Sequence, residues 1–236
     1  MRQKRLSLLL ALSISAVALA GCEYAGPGDD NPIARNLTWF SYVGGENMKK
    51  ACAPGASDTY RFVYNGIYDK QIRTYDVRVH PDGRSADVSA WARGEGDLTR
   101  ARPILQIGRV WSGDRASAEM PASGLSSLRA ALVDDGFQTE RPVGLRLPSN
   151  EFYWTAVACV DGRFVANAWL YPSTRFKRLK FPAVLENYDK TGVAFYAPRP
   201  SDQQDEDPTL YSPDQSSKQF FMQLGRDGFV GTDAPF

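Results

Sequence analysis

The chain has 236 residues, with 28 Lys and Arg against 27 Asp and Glu, one His and three Cys. A formal charge of +1 excludes the concentrated basic excess of a nucleic-acid binder. A hydrophobic content of 43% with 12% aromatics exceeds what disordered chains carry, and the length suits a domain with a real core. One His and three Cys leave little material for a zinc site or a His-based catalytic network, so neither metal nor cofactor is expected.

The N-terminus has three parts. Arg2, Lys4 and Arg5 form a basic region, and Leu6 to Leu19 form an apolar stretch interrupted by Ser7, Ser13 and Ser15. Leu19-Ala20-Gly21-Cys22 closes it. A stretch this short, behind basic residues and before small ones, reads as a secretory signal rather than a membrane span. Leu19-Ala20-Gly21-Cys22 resembles the lipobox of bacterial lipoproteins. The resemblance implies that the Cys22 thiol receives a diacylglycerol, that cleavage falls just before it, and that its new amino group is acylated. Residues 1–21 are then a signal peptide whose removal takes the formal charge from +1 to −2. Glu23, where Asp goes with retention at the inner membrane, implies the outer membrane, on its periplasmic face. Residues 22–34, rich in Gly, Pro and Asp, read as a flexible tether, and 35–236 as a single α+β domain.

Cys52 and Cys159 remain once Cys22 is lipidated. In an oxidising compartment an even pair usually forms a disulfide, although two buried thiols or a redox pair fit the same count. No Cys-x-x-Cys is present, which argues against thioredoxin-type chemistry.

Leu37 to Tyr42 form an apolar-aromatic patch, and Glu46 to Cys52 a short helix broken by Ala53-Pro54-Gly55. Thr59–Tyr64, Ile72–Val79 and Arg84–Trp91 alternate with period two and are rich in aromatic and β-branched residues. Asp82-Gly83 is a hairpin signal that pairs Val79 with Ala86, Val77 with Val88 and Tyr75 with Ala90. A turn at Asp69-Lys70 pairs Tyr60 with Val79, Phe62 with Val77 and Tyr64 with Tyr75. Both registers give the middle strand the same apolar face, and they set Arg61, Arg78 and Asp87 on the other. Ile104–Trp111 reads as a fourth strand. Leu125, Leu128, Ala131 and Leu132 share a helical face, which predicts a helix over about 124–135 with Ser123 as N-cap and Gly136 as its stop.

Glu151–Val160 and Arg163–Tyr171 flank Asp161-Gly162, which pairs Trp154 with Trp169, Phe152 with Tyr171 and Cys159 with Phe164. This hairpin is apolar on both faces, one of them interrupted by Asn167, and so is expected in the centre of the sheet with cover on each side. A further strand is expected near Gly192–Ala197, and a mobile acidic loop near 199–214. Phe220-Phe221-Met222 and Gly228-Phe229-Val230 read as late packing contacts.

Candidate chemistry is sparse. A Ser-His-Asp triad would have to use His80, which sits beside Pro81-Asp82-Gly83 at a hairpin end, and no Gly-x-Ser-x-Gly elbow exists. Asp202, Asp205, Glu206 and Asp207 carry oxygen ligands for Ca²⁺ but lack the spacing of a calcium loop. Phe152, Trp154, Trp169 and Tyr171 could present an aromatic platform for a small apolar or sugar ligand, or pack in the core. The expected molecule is therefore a membrane-anchored α+β protein, an antiparallel sheet built from hairpins with one main amphipathic helix against it. It is expected to be monomeric, bound to the membrane through its lipid and to an envelope protein partner through its surface, without nucleic acid. The expected role is non-enzymatic binding, with ligand capture on the aromatic faces as the alternative and an unusual hydrolase the least favoured.

Overall fold

The computed structural model describes residues 39–68, 70–94, 113–199 and 220–233. The signal and lipobox residues, the expected strand Ile104–Trp111 and the acidic cluster 202–207 lie outside them. The fold is α+β, with a six-stranded antiparallel sheet, a three-stranded one and a few helices. In chain order the elements are α1 (Trp39–Gly44), α2 (Glu46–Ala51), β1 (Thr59–Gly66), β2 (Gln71–Val79), β3 (Ala86–Gly94), β4 (Asp114–Met120), α3 (Ala122–Asp134), β5 (Arg146–Pro148), β6 (Phe152–Val160), β7 (Arg163–Leu170), α4 (Thr174–Lys177), α5 (Phe181–Glu186), β8 (Phe220–Leu224) and β9 (Phe229–Asp233). The large sheet runs β4-β3-β2-β1-β6-β7 and the small one β5-β8-β9.

Both Asp-Gly hairpins adopt the expected registers. Val79 faces Ala86, Val77 faces Val88 and Tyr75 faces Ala90 across β2 and β3. Trp154 faces Trp169 and Cys159 faces Phe164 across β6 and β7, and the Tyr171 amide donates to the Phe152 carbonyl at 2.9 Å. Asp161 and Gly162 sit at φ 51° and 70°, the two positive values that a tight hairpin turn of this hand requires. The β1–β2 register differs from expectation by two residues, with Tyr60 facing Val77, Phe62 facing Tyr75 and Tyr64 facing Arg73. Its turn forms earlier: Ile67 takes φ 62°, and its carbonyl accepts from both Lys70 and Gln71. An even slip keeps every side chain on its face, so the core assignment survives the error.

Three further expectations are corrected. The β6–β7 hairpin is not central: β7 is an edge strand, and its two-sided burial comes from covers on both faces. Gly192–Ala197 is irregular rather than a strand. The helix starts earlier than expected, with Pro121 rather than Ser123 at the N-cap and no side-chain cap. Its end follows the prediction, since Gly136 (φ 67°) and Phe137 donate back to the Val133 and Leu132 carbonyls. Of Phe220–Met222 and Gly228–Val230, expected as late packing contacts, Phe220, Met222 and Phe229 do pack in the interior or against it, in the strands β8 and β9.

The first face of the large sheet carries Tyr60, Phe62, Tyr64, Tyr75, Val77, Trp154 and Trp169, packed against α3 (Leu125, Leu128, Leu132) and α5 (Phe181, Leu185). On the second face Val63, Ile72 and Tyr153 pack against α1 (Trp39, Phe40, Val43) and the small sheet (Leu147, Phe220, Met222). Phe40 lies so close on Gly231 that a Cβ there would stand 2.2 Å from the ring. A buried carboxylate places α5: Asp135 accepts the amides of Lys180 (2.9 Å) and Phe181 (3.0 Å). Burial raises the Asp135 carboxyl above its ordinary value, opposed by those same amides. Asp135→Ala leaves two buried donors unpaired and is predicted to cost about 3 kcal/mol of unfolding free energy, measured by urea titration. A loss within that of a surface substitution would contradict the assignment.

Cys52 and Cys159 form a disulfide with Cα atoms 5.5 Å apart, joining the end of α2 to β6 across 107 positions of sequence. In the chain-entropy model a loop of that length stabilises by about 4–5 kcal/mol. Replacing both cysteines by Ala is predicted to remove most of that from the urea-unfolding free energy, whereas an unchanged midpoint would show the bridge contributes nothing.

Candidate functional site

Of the four aromatics proposed as a ligand platform, three are interior and Tyr171 lies at the margin. Phe152, Trp154 and Trp169 are at most 2% exposed, and Tyr171 is half-buried against Phe152 and Phe176. Phe181 of α5 fills the space between them, its ring 5.3 Å from Trp154 and 5.2 Å from Trp169, centroid to centroid. A ligand on Trp154 or Trp169 would have to displace α5, so these two rings pack as core residues. Their paired hairpin positions fit both outcomes, and the two-sided apolarity of β6 was the signal that favoured burial.

The sole histidine does meet a serine and an aspartate. Ser85 Oγ lies 2.9 Å from His80 Nδ1, and His80 Nε2 lies 3.2 Å from Asp87 Oδ2. The residue types are those of a catalytic triad, but the ring nitrogens are exchanged, with serine at Nδ1 and aspartate at Nε2, and the setting differs. The trio sits at the β2–β3 hairpin tip, where Pro81 to Arg84 are all exposed. The nearby backbone donors are engaged, with Gly83 N on His80 O, Arg84 N on Asp82 Oδ1 and His80 N on Ser85 O. An oxyanion needs preorganised donors in a water-excluded site. What the trio does is clip the hairpin across its turn.

The densest buried polar cluster was not anticipated. Gln71 and Arg73 continue the inward-facing row of β2 beyond Tyr75, where apolar residues would be the rule. Arg73 pairs with Asp189 and donates to the Val193 carbonyl, and Tyr75 Oη donates to Asp189 Oδ2 at 2.7 Å. Gln71 donates to the Ala194 carbonyl (2.8 Å) and accepts from the Tyr196 amide (2.9 Å), imitating a strand neighbour. Tyr64 Oη donates to the Tyr196 carbonyl at 2.6 Å. Burial raises both phenols well above their ordinary value, so each stays protonated and acts as a donor. The cluster pins residues 189–196 across the sheet by side chains, which explains why Gly192–Ala197 needs no ladder of its own. An Arg at an inward position of an alternating strand was the available signal.

Among the described residues, the second face is buried at Ile72, Thr74 and Trp91 and exposed toward the β2–β3 hairpin and along β4. Arg78, Asp87 and Glu119 form one exposed cross-strand row there, and Ser89 faces exposed Ser117 in the next. Where α1 borders this face, Arg61 Nε donates to Asp76 Oδ1 at 2.6 Å and Tyr42 Oη to Asp76 Oδ2 at 3.1 Å. The Arg61 guanidinium stacks 3.8 Å from the Tyr42 ring centroid. This is a mixed-charge, hydrogen-bonding part of the sheet surface. Among the described residues no cluster of three or more His, Cys, Asp or Glu could hold a metal ion. Compared with protein-family models and with curated proteins, the chain matches none.

Asp189 gives the cluster a pH signature. Burial acts to raise its carboxyl, but hydrogen bonds from Thr191 and Tyr75 and the Arg73 charge outweigh it, so its pKa lies below the ordinary 3.8. A carboxyl depressed in the folded state stabilises above its unfolded pKa, and that stability is lost as pH falls through the folded one. Asp189→Asn is therefore predicted to lower Tm at neutral pH and to flatten its decline below about pH 4. Thermal melts across the acid range test this, and parallel curves for the two proteins would contradict it.

Proposed function

We propose that the chain is a bacterial envelope lipoprotein, anchored through acylated Cys22, whose folded domain works by surface contact with another envelope component. The observation that carries this reading is Leu19-Ala20-Gly21-Cys22 at the end of a short apolar stretch behind Arg2, Lys4 and Arg5. The Cys52–Cys159 disulfide is consistent with an oxidising compartment. The role is non-enzymatic, with the polar second face over β2 to β4 as the contact surface. Its exposed rows of opposite charge and hydroxyl groups favour a polar partner. Interior packing of Trp154 and Trp169 weighs against the alternative of ligand capture on the aromatic faces. Glu23 points to the outer membrane, with the domain on the periplasmic side.

The test is metabolic labelling with a palmitate analogue in a bacterial host. The wild-type chain is predicted to take up label and to mature, while Cys22→Ser takes up none and accumulates as the longer precursor. An unlabelled wild-type chain, or a Cys22→Ser chain processed normally, would overturn the anchor.

A further inference from the structure

Cations gather along one edge of the six-stranded sheet. On the outer side of β7, Arg141 Nε donates to the Ala166 carbonyl and Arg175 Nη1 to the Ala168 carbonyl. Residues two apart on a strand stand about 7 Å apart, so the two guanidinium groups are near neighbours. Arg178 meets Arg175 on Glu140, and Arg141 Nη2 donates to the Arg226 carbonyl, which brings the β8–β9 turn to the same edge. Lys177, in α4 between Arg175 and Arg178, is exposed, with its Nζ 6.0 Å from the Tyr171 ring centroid. Arg141, Arg175, Lys177, Arg178 and Arg226 thus stand beside two exposed carboxylates, Glu140 and Asp227, while Lys180 is paired with Asp134 at the border. Arg141 and Arg175 direct donors at carbonyls, which satisfy hydrogen bonds without cancelling charge. The whole chain, by contrast, is close to neutral.

Apolar side chains border this patch. Val143 and Val230 are two of the three large apolar residues left exposed among the described residues. They flank Gln223, whose Nε2 donates to the Gly144 carbonyl and whose strand partner is Val230. The Val143 amide in turn donates to the Arg141 carbonyl at 2.9 Å. Cations beside exposed aliphatic groups are the composition of a surface that meets lipid headgroups, the charges reaching phosphate and the aliphatic groups the acyl boundary. An acidic protein partner would account for the cations and not for the exposed valines.

We propose that this face, the β7 edge with α4 and the β8–β9 turn, docks on an anionic phospholipid surface. Arg141, Arg175, Lys177, Arg178 and Arg226 pair with headgroup phosphates, and Val143 and Val230 enter the headgroup layer. The anchor proposed above holds such a surface near, since Trp39 follows Cys22 by 17 residues, a span of at most about 60 Å. Docking goes beyond the anchor and does not require it. It sets β7 against the membrane and turns β4, five strand spacings or about 24 Å away, outward. Salt weakens the attraction, because exposed charges are screened beyond about 8 Å at physiological ionic strength.

The experiment places an environment-sensitive fluorophore on the full-length chain, purified in detergent and reconstituted into vesicles. A Cys22→Ser background leaves the introduced cysteine as the free thiol and makes the reading independent of acylation. Labelled at Val143→Cys, the chain is predicted to emit about threefold more, and further to the blue, in phosphatidylcholine vesicles holding about 30% phosphatidylglycerol than in phosphatidylcholine alone. Labelled at Asp82→Cys, in the β2–β3 turn, it should emit equally in both. Lys177→Glu with Arg178→Glu should abolish the Val143 gain. Raising salt to about 0.5 M should cut that gain at least about threefold with no further substitution. Mapping the Cys52–Cys159 bridge reports the fold of each variant. A Val143 signal equal in the two lipids, as an acidic protein partner would leave it, overturns the proposal, and so does one indifferent to charge reversal or to salt. An equal gain at Asp82 also overturns it, by showing adsorption of the whole chain. So does an equal response to inorganic phosphate without charged lipid, which would show an ion site.

Discussion

A sheet that is apolar on both faces must be covered twice, and that requirement organises this molecule. β1, β2 and β6 carry large side chains in both directions, with Phe62, Tyr75 and Trp154 on the first face and Val63, Ile72 and Tyr153 on the second. Neither cover is a single long element. The first combines α3, the short α5 and the strap 189–196, and the second combines α1 with the three-stranded sheet. Short elements cannot hold themselves in place by local helix or ladder energy alone.

What holds them is a set of buried polar side chains, each satisfying main-chain groups of a different element. Asp135, at the end of α3, receives the amides that begin α5. Asn167, inside β7, donates to the carbonyls of Gly136, Phe137 and Glu140 in the turn after α3. Gln71 and Arg73 hold the strap on the first face, and Cys52–Cys159 fastens α2 to β6 on the second. Unsatisfied groups at these depths would cost more than the bonds contribute, so each device specifies an arrangement as well as stabilising it.

Both hairpins were legible because Asp-Gly turns and period-two patterns agree on register, and the Gly136 stop because a left-handed cap there favours glycine. The legible part ended where side chains do the work of main chain. Gly192–Ala197 has the composition of a strand, yet its partners are Gln71, Arg73 and Tyr64, which no periodicity reveals. β4 was missed for the opposite reason: an exposed edge strand needs little apolar character, and Asp114–Met120 shows little. His80, Ser85 and Asp87 do meet, at the hairpin tip where sequence put His80, but the geometry there is a clip. The aromatic residues of β6 and β7 were visible from the start. Their role depended on Phe181, a residue of a six-residue helix with Pro182 at its start and no strong pattern of its own.

The division of the sheet follows from the same requirement. Cover is complete over the middle of β1 and β6, whereas on the second face, among the described residues, Arg78, Asp87, Ser89, Ser117 and Glu119 at one end of β2 to β4 are exposed. Native-state hydrogen exchange read by mass spectrometry tests the two-sided cover most directly. Amides of β1, β2 and β6 are predicted to exchange only through global unfolding, with β4 exchanging far faster. Equal protection of β4 and β6, or exchange of β6 by local opening, would contradict it.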